Sequence, residues 1–189
     1  MGIQHEIRRK IFHLVSLLIP FGYIMFDREI ILKAVAIALV VVIALELARL
    51  FIPRFRNKIH PYFSPIMRVA EEKKLSGVTY MIAGAWITIY LFEKDIAIIA
   101  LLLVSISDAA AAIVGTAYGK IHLWQKTLEG SVAFFTVTGL MMILMSNISL
   151  EQKLVGMVSG TLVELLPIPI NDNLSLPIVT ALAMQTVGG

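Results

Sequence analysis

The chain has 189 residues, of which 58% are hydrophobic and 15% charged, with a net charge of +3 and no cysteine. Soluble domains carry nearer a quarter of charged residues, so this chain has more apolar surface than a compact core can bury. Composition therefore excludes disulfides, cysteine-ligated zinc and thiol catalysis, and predicts an all-α, polytopic membrane helix bundle that forms one domain over residues 1–189.

Seven apolar segments follow a polar N-terminal stretch, residues 1–10. We predict membrane-spanning helices at Ile11–Phe26, Ile30–Ile52, Gly77–Phe92, Ile96–Tyr118, Ser131–Met145, Leu154–Leu166 and Leu174–Val187. The last three are near or below the usual minimum of about 17 residues, so we expect them to be tilted or partly re-entrant. Residues 53–76 are basic and broken by Pro61 and Pro65, which predicts an interfacial segment of one or two helices.

The basic residues are distributed unequally between the two sides of this bundle. With a cytoplasmic N-terminus, the outer side receives four: Arg28, Lys33, Lys94 and Lys153. The inner side receives twelve: Arg8, Arg9, Lys10, Arg49, Arg54, Arg56, Lys58, Arg68, Lys73, Lys74, Lys120 and Lys126. This excess predicts seven spans with the N-terminus inside. The unusual polar clusters then fall near the cytoplasmic face, which predicts a site there.

Asp108 lies inside the fourth apolar segment, about 18 Å along its helix. A charge near the bilayer centre costs ~2.5–3.5 kcal/mol, so Asp108 needs a partner. Ala112, Gly115 and Gly119 share a helical face with it and leave that face smooth. The pattern fits either a packing seam or a face that a ligand approaches.

A basic, glycine-punctuated loop follows Asp108. Lys120 and Lys126 can bind phosphate as point charges, and Gly130 permits close approach of an anion to the backbone. Thr127 is a candidate helix cap, and Glu129 stands in the first turn of the next helix.

The N-terminal helix places Glu6, Arg9, Lys10 and His13 on one side. These residues fit either a positive anchor at the inner surface or a functional cluster. Glu164 and Asp172 flank the break made by Pro167 and Pro169, and are candidate Mg²⁺ ligands; the alternative is a plain turn.

Glu46 and Arg49 lie three residues apart near the inner end of the second span. That spacing predicts a structural ion pair.

Taken together, these residues resemble the polyprenol kinase family, which includes dolichol kinase, phytol kinase and the CTP-dependent diacylglycerol kinase. The similarity lies in the order of five motifs: E-x-x-R-K-x-x-H (Glu6, Arg9, Lys10, His13), R-x-x-E…SG-x-TY (Arg68, Glu71, Ser76, Gly77, Thr79, Tyr80), D-x-x-A-x-x-x-G-x-x-x-G (Asp108, Ala111, Gly115, Gly119), K-T-x-E-G-S (Lys126 to Ser131) and E-x-x-P…DN-x-x-x-P (Glu164, Pro167, Asp172, Asn173, Pro177).

The resemblance implies transfer of a phosphoryl group, usually from CTP, to the hydroxyl of a membrane lipid alcohol at the cytoplasmic face. We expect Mg²⁺ at Asp108 with Glu164 or Asp172. Nucleotide ligands are expected at Arg9, Lys10, Gly115, Gly119, Lys120, Lys126, Thr127 and Gly130. Glu129 is expected to orient Lys126 or the metal's water shell, and His13 or a carboxylate to take the acceptor's proton.

The lipid is expected to arrive between spans 1, 4 and 7. Phosphatidate cytidylyltransferases share the intramembrane Asp and the K-T-x-E-G loop, so transfer of a cytidylyl group is an alternative function. A non-enzymatic transporter or lipid scrambler is a second alternative. Expected partners are the lipid alcohol, a nucleoside triphosphate and the membrane, without nucleic acid; the oligomeric state stays open, a homodimer included.

Overall fold

The protein, described as a computed structural model over residues 3–63, 67 and 71–188, is built almost entirely from helices. In chain order they are α1 (Ile3–His13), α2 (Leu18–Met25), α3 (Arg28–Phe51), α4 (Pro53–Phe63), α5 (Gly77–Leu91), α6 (Lys94–Leu102), α7 (Asp108–Tyr118), α8 (Leu128–Ile143), α9 (Leu150–Leu165) and α10 (Asp172–Thr186). A two-residue antiparallel hairpin, β1 (His122–Leu123) and β2 (Lys126–Thr127), joins α7 to α8. The predicted all-α class is confirmed, with this hairpin as a small addition.

One helix forms the centre of the bundle. α6 continues through a π-helical segment, Leu103–Ser107, directly into α7. The most apolar 18-residue stretch of the resulting helix, Lys94–Tyr118, has a mean hydropathy of 2.4, and 78% of that stretch is buried. α2, α5 and α10 pack against α6, whereas α1 and α8 pack against α7. An apolar helix this buried is typical of the core of a bundle.

α3 has the opposite character. It is 24 residues long, and its most apolar 18-residue stretch has a mean hydropathy of 2.8, yet only 11% of that stretch is buried. Ile37 and Val40 are two of its many exposed apolar side chains. A long apolar helix with its surface uncovered is suited to contact with lipid.

The number of membrane spans stays a prediction. By length and composition, α3 and the continuous helix Lys94–Tyr118 are able to cross a membrane among the described residues, and α5 and α8 are shorter apolar helices. The seven-span arrangement and the cytoplasmic N-terminus are taken up again under the proposed function.

Hydroxyl groups join the central helix to its neighbours on two sides. Ser16 donates to Ser105 at 2.7 Å, because the proton of Ser105 goes to the carbonyl of Leu101. On the other side Thr138 donates to Ser107 at 3.0 Å. Such bonds within apolar surroundings contribute ~0.6–2 kcal/mol each, and they fix how the central helix is rotated.

Most helix ends follow recognisable signals. Ser149 and Gln152 form a capping box at the start of α9, and the side chain of Asn171 caps α10. The predicted spans match α3, α5, α8, α9 and α10 to within a few residues. Proline at 167 and 169 ends α9 as expected, since proline cannot continue a helix.

The first predicted span differs from expectation in one respect. The polar N-terminal stretch is helical from Ile3, and a 3₁₀ turn, Leu14–Leu17, interrupts the predicted first span before α2. α4 forms the first half of the predicted interfacial segment. Pro65, Ile66 and Arg68, which belong to that segment or to the family motifs, lie outside the described residues.

The contact between α5 and α10 depends on a glycine. A Cβ added at Gly84 would lie 2.6 Å from the carbonyl oxygen of Asn173, which is backbone and has little room to yield. A Cβ at Gly139 would meet the flexible end of Met157 at 3.0 Å. We expect Gly84→Ala to reduce the free energy of unfolding by about 1–3 kcal/mol, measured by thermal unfolding in detergent.

Gly139→Ala is the matched control for that measurement. It makes the same change within a helix, where alanine is favoured over glycine by up to about 1 kcal/mol. Equal effects of the two substitutions on the unfolding midpoint would contradict the close approach of α5 and α10.

Candidate functional site

A buried ion pair joins the N-terminal helix to the central helix. Asp108 is the first residue of α7, immediately after the π-helical segment, and its carboxylate oxygen Oδ2 accepts a hydrogen bond from Lys10 Nζ. The two residues are 6% and 4% exposed. The partner that the sequence analysis required for Asp108 is therefore Lys10, and each charge offsets the desolvation of the other.

His13 and Arg9 surround this ion pair. His13 Nε2 lies 3.8 Å from Asp108 Oδ2 and donates a hydrogen bond to the carbonyl of Val104 at 2.9 Å. In the neutral ring the lone pair is therefore on Nδ1. Arg9 is held by the Glu6 carboxylate, with its Nε 3.2 Å from Glu6 Oε2. The predicted N-terminal cluster is assembled as expected, on the inward side of α1.

A second charge cluster is centred on Lys126 in strand β2. Its ammonium lies 2.9 Å from Asp172 Oδ2 and 3.2 Å from Glu164 Oε1. Glu164 is buried in α9 and also accepts a hydrogen bond from Ser131 at 2.9 Å. Burial lowers the pKa of Lys126, but the carboxylates of Asp108, Asp172 and Glu164 outweigh it and raise that pKa above its usual range. Lys126 therefore stays protonated throughout the neutral and mildly alkaline range.

Glu129 has a different place from the one expected. Both of its carboxylate oxygens lie 3.3 Å from the backbone nitrogen of Ile121, which donates to them and closes the loop before β1. Lys126 is paired with Glu164 and Asp172 instead. The structure thus pairs Lys126 with two other acids, and the expected part of Glu129, orienting Lys126 or the metal's water shell, stays a prediction.

The spacing of small residues along α7 has a packing explanation. A Cβ added at Gly115 would lie 2.6 Å from Thr127 Oγ1, and one at Gly130 would lie 2.8 Å from the carbonyl oxygen of Ala111. The N–H of Gly130 is donated to Thr127 Oγ1, which caps α8. These glycines, with Gly119, therefore let α7 and α8 approach closely, and their contact with phosphate stays a prediction, as does that of exposed Lys120.

The hairpin holds an aromatic side chain at its tip in a strained conformation. Trp124 has a φ angle of 55°, in the left-handed region that residues other than glycine rarely adopt, and its side chain is 64% exposed. The sequence pattern predicted a loop here but gave no signal for the hairpin. The tight two-residue connection brings Lys126 back toward the bundle.

Two cavities meet at the start of α10. The first, which we call the α1–α3 cavity, has a volume of about 290 Å³. Lys10, His13, Asp108 and Asp172, which we call its polar end, line it together with the charged side chains of Arg9, Glu46, Arg49 and Glu71, and its apolar lining includes Phe12, Val42, Leu45, Val78 and Met81. The second, the hairpin cavity, has a volume of about 420 Å³ and is lined by Trp124, Lys126, Tyr80, Pro167 and Pro169, among others. Asn171 and Asp172 line both, so they stand between the two spaces.

The acids at the site fit a metal ion that arrives on a nucleotide. Among the residues that the structure describes, no three His, Asp or Glu side chains converge on a point where a metal could sit. Asp108 and Asp172 nevertheless line the same cavity, and Mg²⁺ commonly uses one or two carboxylates together with phosphate oxygens and water. Glu164 does not line that cavity and also accepts a hydrogen bond from Ser131, so its predicted place as a metal ligand is less direct than that of the two aspartates, which are themselves paired with Lys10 and Lys126.

Glu46 and Arg49 form the predicted ion pair and do more than that. Arg49 lies 2.5 Å from Glu46 and donates to the carbonyls of Glu72 and Lys74 at 3.1 and 2.6 Å. Arg49 is 6% exposed, and it also lines the α1–α3 cavity. The buried guanidinium therefore fastens the turn before α5 to the inner end of α3. Sequence spacing gave the pair but not the carbonyl contacts.

Comparison with known proteins supports one family and points to one activity class. The chain is 31% identical over 183 residues to uncharacterized protein RP860 of Rickettsia prowazekii, covering 92% of this chain and 90% of that protein. The chain belongs to the same family as this rickettsial protein. No family model and no solved structure matches.

The chain is also similar to two fungal enzymes. It is 34% identical over 139 residues to CTP-dependent diacylglycerol kinase 1 of Saccharomyces cerevisiae, and 33% identical over 143 residues to the kinase of the same name from Eremothecium gossypii. Each match covers 71% of this chain, but 48% and 44% of the respective kinases. The chain therefore matches about half the length of each kinase.

The Arg49 contacts give a prediction for stability. Arg49→Lys replaces the guanidinium group, which donates to several backbone carbonyls, with a single ammonium group. Some of those buried carbonyls therefore lose their hydrogen-bond donor. We expect the free energy of unfolding to fall by about 1–3 kcal/mol, and proteolysis between Glu71 and Lys74 to become faster. Arg54→Lys, an exposed change in α4, is the control and should leave both measurements unchanged. Equal behaviour of the two variants would contradict the fastening role of Arg49.

Proposed function

We propose that this chain is a CTP-dependent kinase that phosphorylates the hydroxyl of a membrane lipid alcohol. The observation that carries the proposal is the α1–α3 cavity, where Lys10, Asp108 and Asp172 line the polar end of a space with apolar walls. A phosphoryl transfer onto a lipid needs such a meeting of charged and apolar surfaces. The similarity to CTP-dependent diacylglycerol kinase 1 over 71% of the chain supports the same reaction.

Cationic side chains are placed to bind the triphosphate. Lys126, beside the hairpin cavity, and Arg9 and Lys10, at the α1–α3 cavity, lie on either side of Asp172. Each of the three is paired with a carboxylate in the described structure, so each is already oriented before phosphate arrives. Fixed cations lower the barrier of phosphoryl transfer because they neutralise charge on the transferring oxygens without reorganising.

The reaction exchanges one phosphorus–oxygen bond for another. The acceptor oxygen forms a bond to the γ-phosphorus, and the bond from that phosphorus to the β-phosphate oxygen breaks, giving CDP and a lipid phosphate. The hydroxyl proton goes to the lone pair of His13 Nδ1, since His13 lines the same cavity. Mg²⁺ bound with the nucleotide would be held by Asp108 and Asp172 and would supply charge neutralisation.

The membrane arrangement is part of the same proposal. Seven spans with a cytoplasmic N-terminus bring Lys10, Lys126 and Asp172 to the face where CTP is available. The positive-inside distribution of Lys and Arg supports this orientation. The exposed apolar surface of α3 supports its contact with lipid.

The fate of labelled CTP tests the reaction. Purified protein in vesicles that contain diacylglycerol, with Mg²⁺ present, is expected to transfer label to lipid from γ-labelled CTP and not from α-labelled CTP. Replacing Mg²⁺ by EDTA should abolish the transfer. Label that enters lipid from the α position, with pyrophosphate released, would instead establish a cytidylyltransferase, and lipid movement without nucleotide would indicate a transporter or scrambler.

Asp108 and Lys10 can be tested as a pair. Asp108→Asn leaves the Lys10 ammonium buried and unpaired, so we expect stability to fall by about 3–5 kcal/mol together with loss of turnover. The double variant Asp108→Asn/Lys10→Met removes both charges and should recover much of that stability, while turnover stays at least about 100-fold below wild type. Thermal unfolding and γ-label transfer measure the two effects separately. A folded double variant with wild-type turnover would contradict the proposed site.

A further inference from the structure

α3 packs against α5 and is buried most deeply near its two ends. Ile31 and Val35 are its buried apolar side chains in the first half, and Arg49 is buried in the last turn. Between these points Val42 is half-buried and Leu45 is 49% exposed. Both side chains line the α1–α3 cavity, so the inner half of α3 forms one wall of it.

The cavity opens sideways, toward the apolar flank of the protein. Phe12 on α1 and Leu45 on α3 both line it, yet they are 40% and 49% exposed at the outer surface. A side chain that meets both a cavity and the outside marks the mouth of that cavity. The mouth therefore lies between α1 and α3, and it is bordered by apolar groups.

The walls and the polar end of the cavity have different chemistry. Val78 and Met81 on α5 face the same space as Val42, whereas Asp108 and Lys10 lie at its polar end. An uncharged hydroxyl can reach this end, but a phosphorylated or zwitterionic headgroup would have to pass the apolar mouth and lose its hydration. The cavity is therefore suited to a neutral lipid alcohol.

Its volume limits how much of the lipid it can hold. About 290 Å³ is at the lower limit of small-molecule sites. It accommodates the hydroxyl-bearing end of a lipid and the adjoining carbons, and the rest of the tail stays outside along α1 and α3. Asp172 borders this cavity and the hairpin cavity, so a nucleotide in the latter meets the lipid from the other side.

We propose that a neutral lipid alcohol passes sideways from the bilayer between α1 and α3 into the α1–α3 cavity, where Val42, Leu45 and Met81 contact its first carbons. This inference rests on the proposed kinase function and names the acceptor site. It differs from the expected path between spans 1, 4 and 7, because the apolar lining of the cavity comes mainly from α1, α3 and α5, with Ile59 of α4 beside them. The protein recognises the hydroxyl-bearing end of the lipid and contacts the tail only through nonspecific apolar packing.

The absence of cysteine from the sequence permits a reversible test of this path. Val42→Cys is treated with an apolar methanethiosulfonate carrying a benzyl group, which fills the cavity, and dithiothreitol then removes the group. The matched control is Val40→Cys, on the outer face of the same helix with 67% exposure. Mass spectrometry confirms modification of each variant.

For Val42→Cys we expect modification to lower kcat/KM for diacylglycerol about tenfold or more, with unchanged binding of CTP and full recovery after dithiothreitol. The Val40→Cys protein should keep its rate. Cross-linking of a photoreactive diacylglycerol, read by peptide mapping, supplies a measurement that does not need turnover. It should label α3 and α5, and modification of Val42→Cys should suppress it.

The outcomes separate this inference from the function on which it rests. Normal γ-label transfer and cross-linking after modification of Val42→Cys would overturn the α1–α3 path and leave the kinase intact. Cross-linking at the cavity without any γ-label transfer would overturn the kinase and keep the lipid site. Equal kcat/KM for a long-chain isoprenoid alcohol and for diacylglycerol would identify the hydroxyl end alone as the recognised group; a preference above about tenfold would show which headgroup the polar end selects.

Discussion

The buried pair of Lys10 and Asp108 is the constraint on which the rest of the site depends. Neither charge is tolerable alone in apolar surroundings, so α1 must lie against the central helix wherever Asp108 is present. Once α1 is there, Ser16 meets Ser105 and His13 meets the carbonyl of Val104. A single electrostatic requirement thus positions a whole row of polar contacts. The same pair keeps an ammonium ready beside the space proposed for the transferring phosphate.

A second feature is the pair of neighbouring cavities that share Asn171 and Asp172. Lys126 reaches Asp172 from the hairpin side, and Lys10 reaches Asp108 from the α1 side. In the proposed reaction this arrangement lets a water-soluble donor and a lipid-soluble acceptor approach from different phases and meet near Asp172. Neither substrate then has to cross the environment that suits the other.

Sequence reasoning predicted the helices and the charged residues that meet. Long apolar runs are compatible with few structures other than helices, and a charge within such a run needs a partner of opposite charge. It placed Arg9, Lys10 and His13 on one face, and the structure brings two of them to Asp108. It did not identify which acid pairs with which lysine, since Glu129 and Glu164 are equivalent as residue types and differ only in where α8 and α9 place them. Nor could it foresee the packing of Gly115 against Thr127, because a small residue fits a ligand contact and a helix contact equally well.

The π-helical segment Leu103–Ser107 has a consequence for how this chain can change over time. Successive residues of a helix are rotated by about 100°, so adding or removing one residue there would turn every side chain downstream by that angle. Asp108 would then face away from Lys10, and Gly115 would face away from Thr127 and Gly130. Substitutions can be absorbed along this helix, whereas a change of length in this one stretch would dismantle both ends of the site at once. The length of this segment therefore determines which side chains of α7 face α1 and α8.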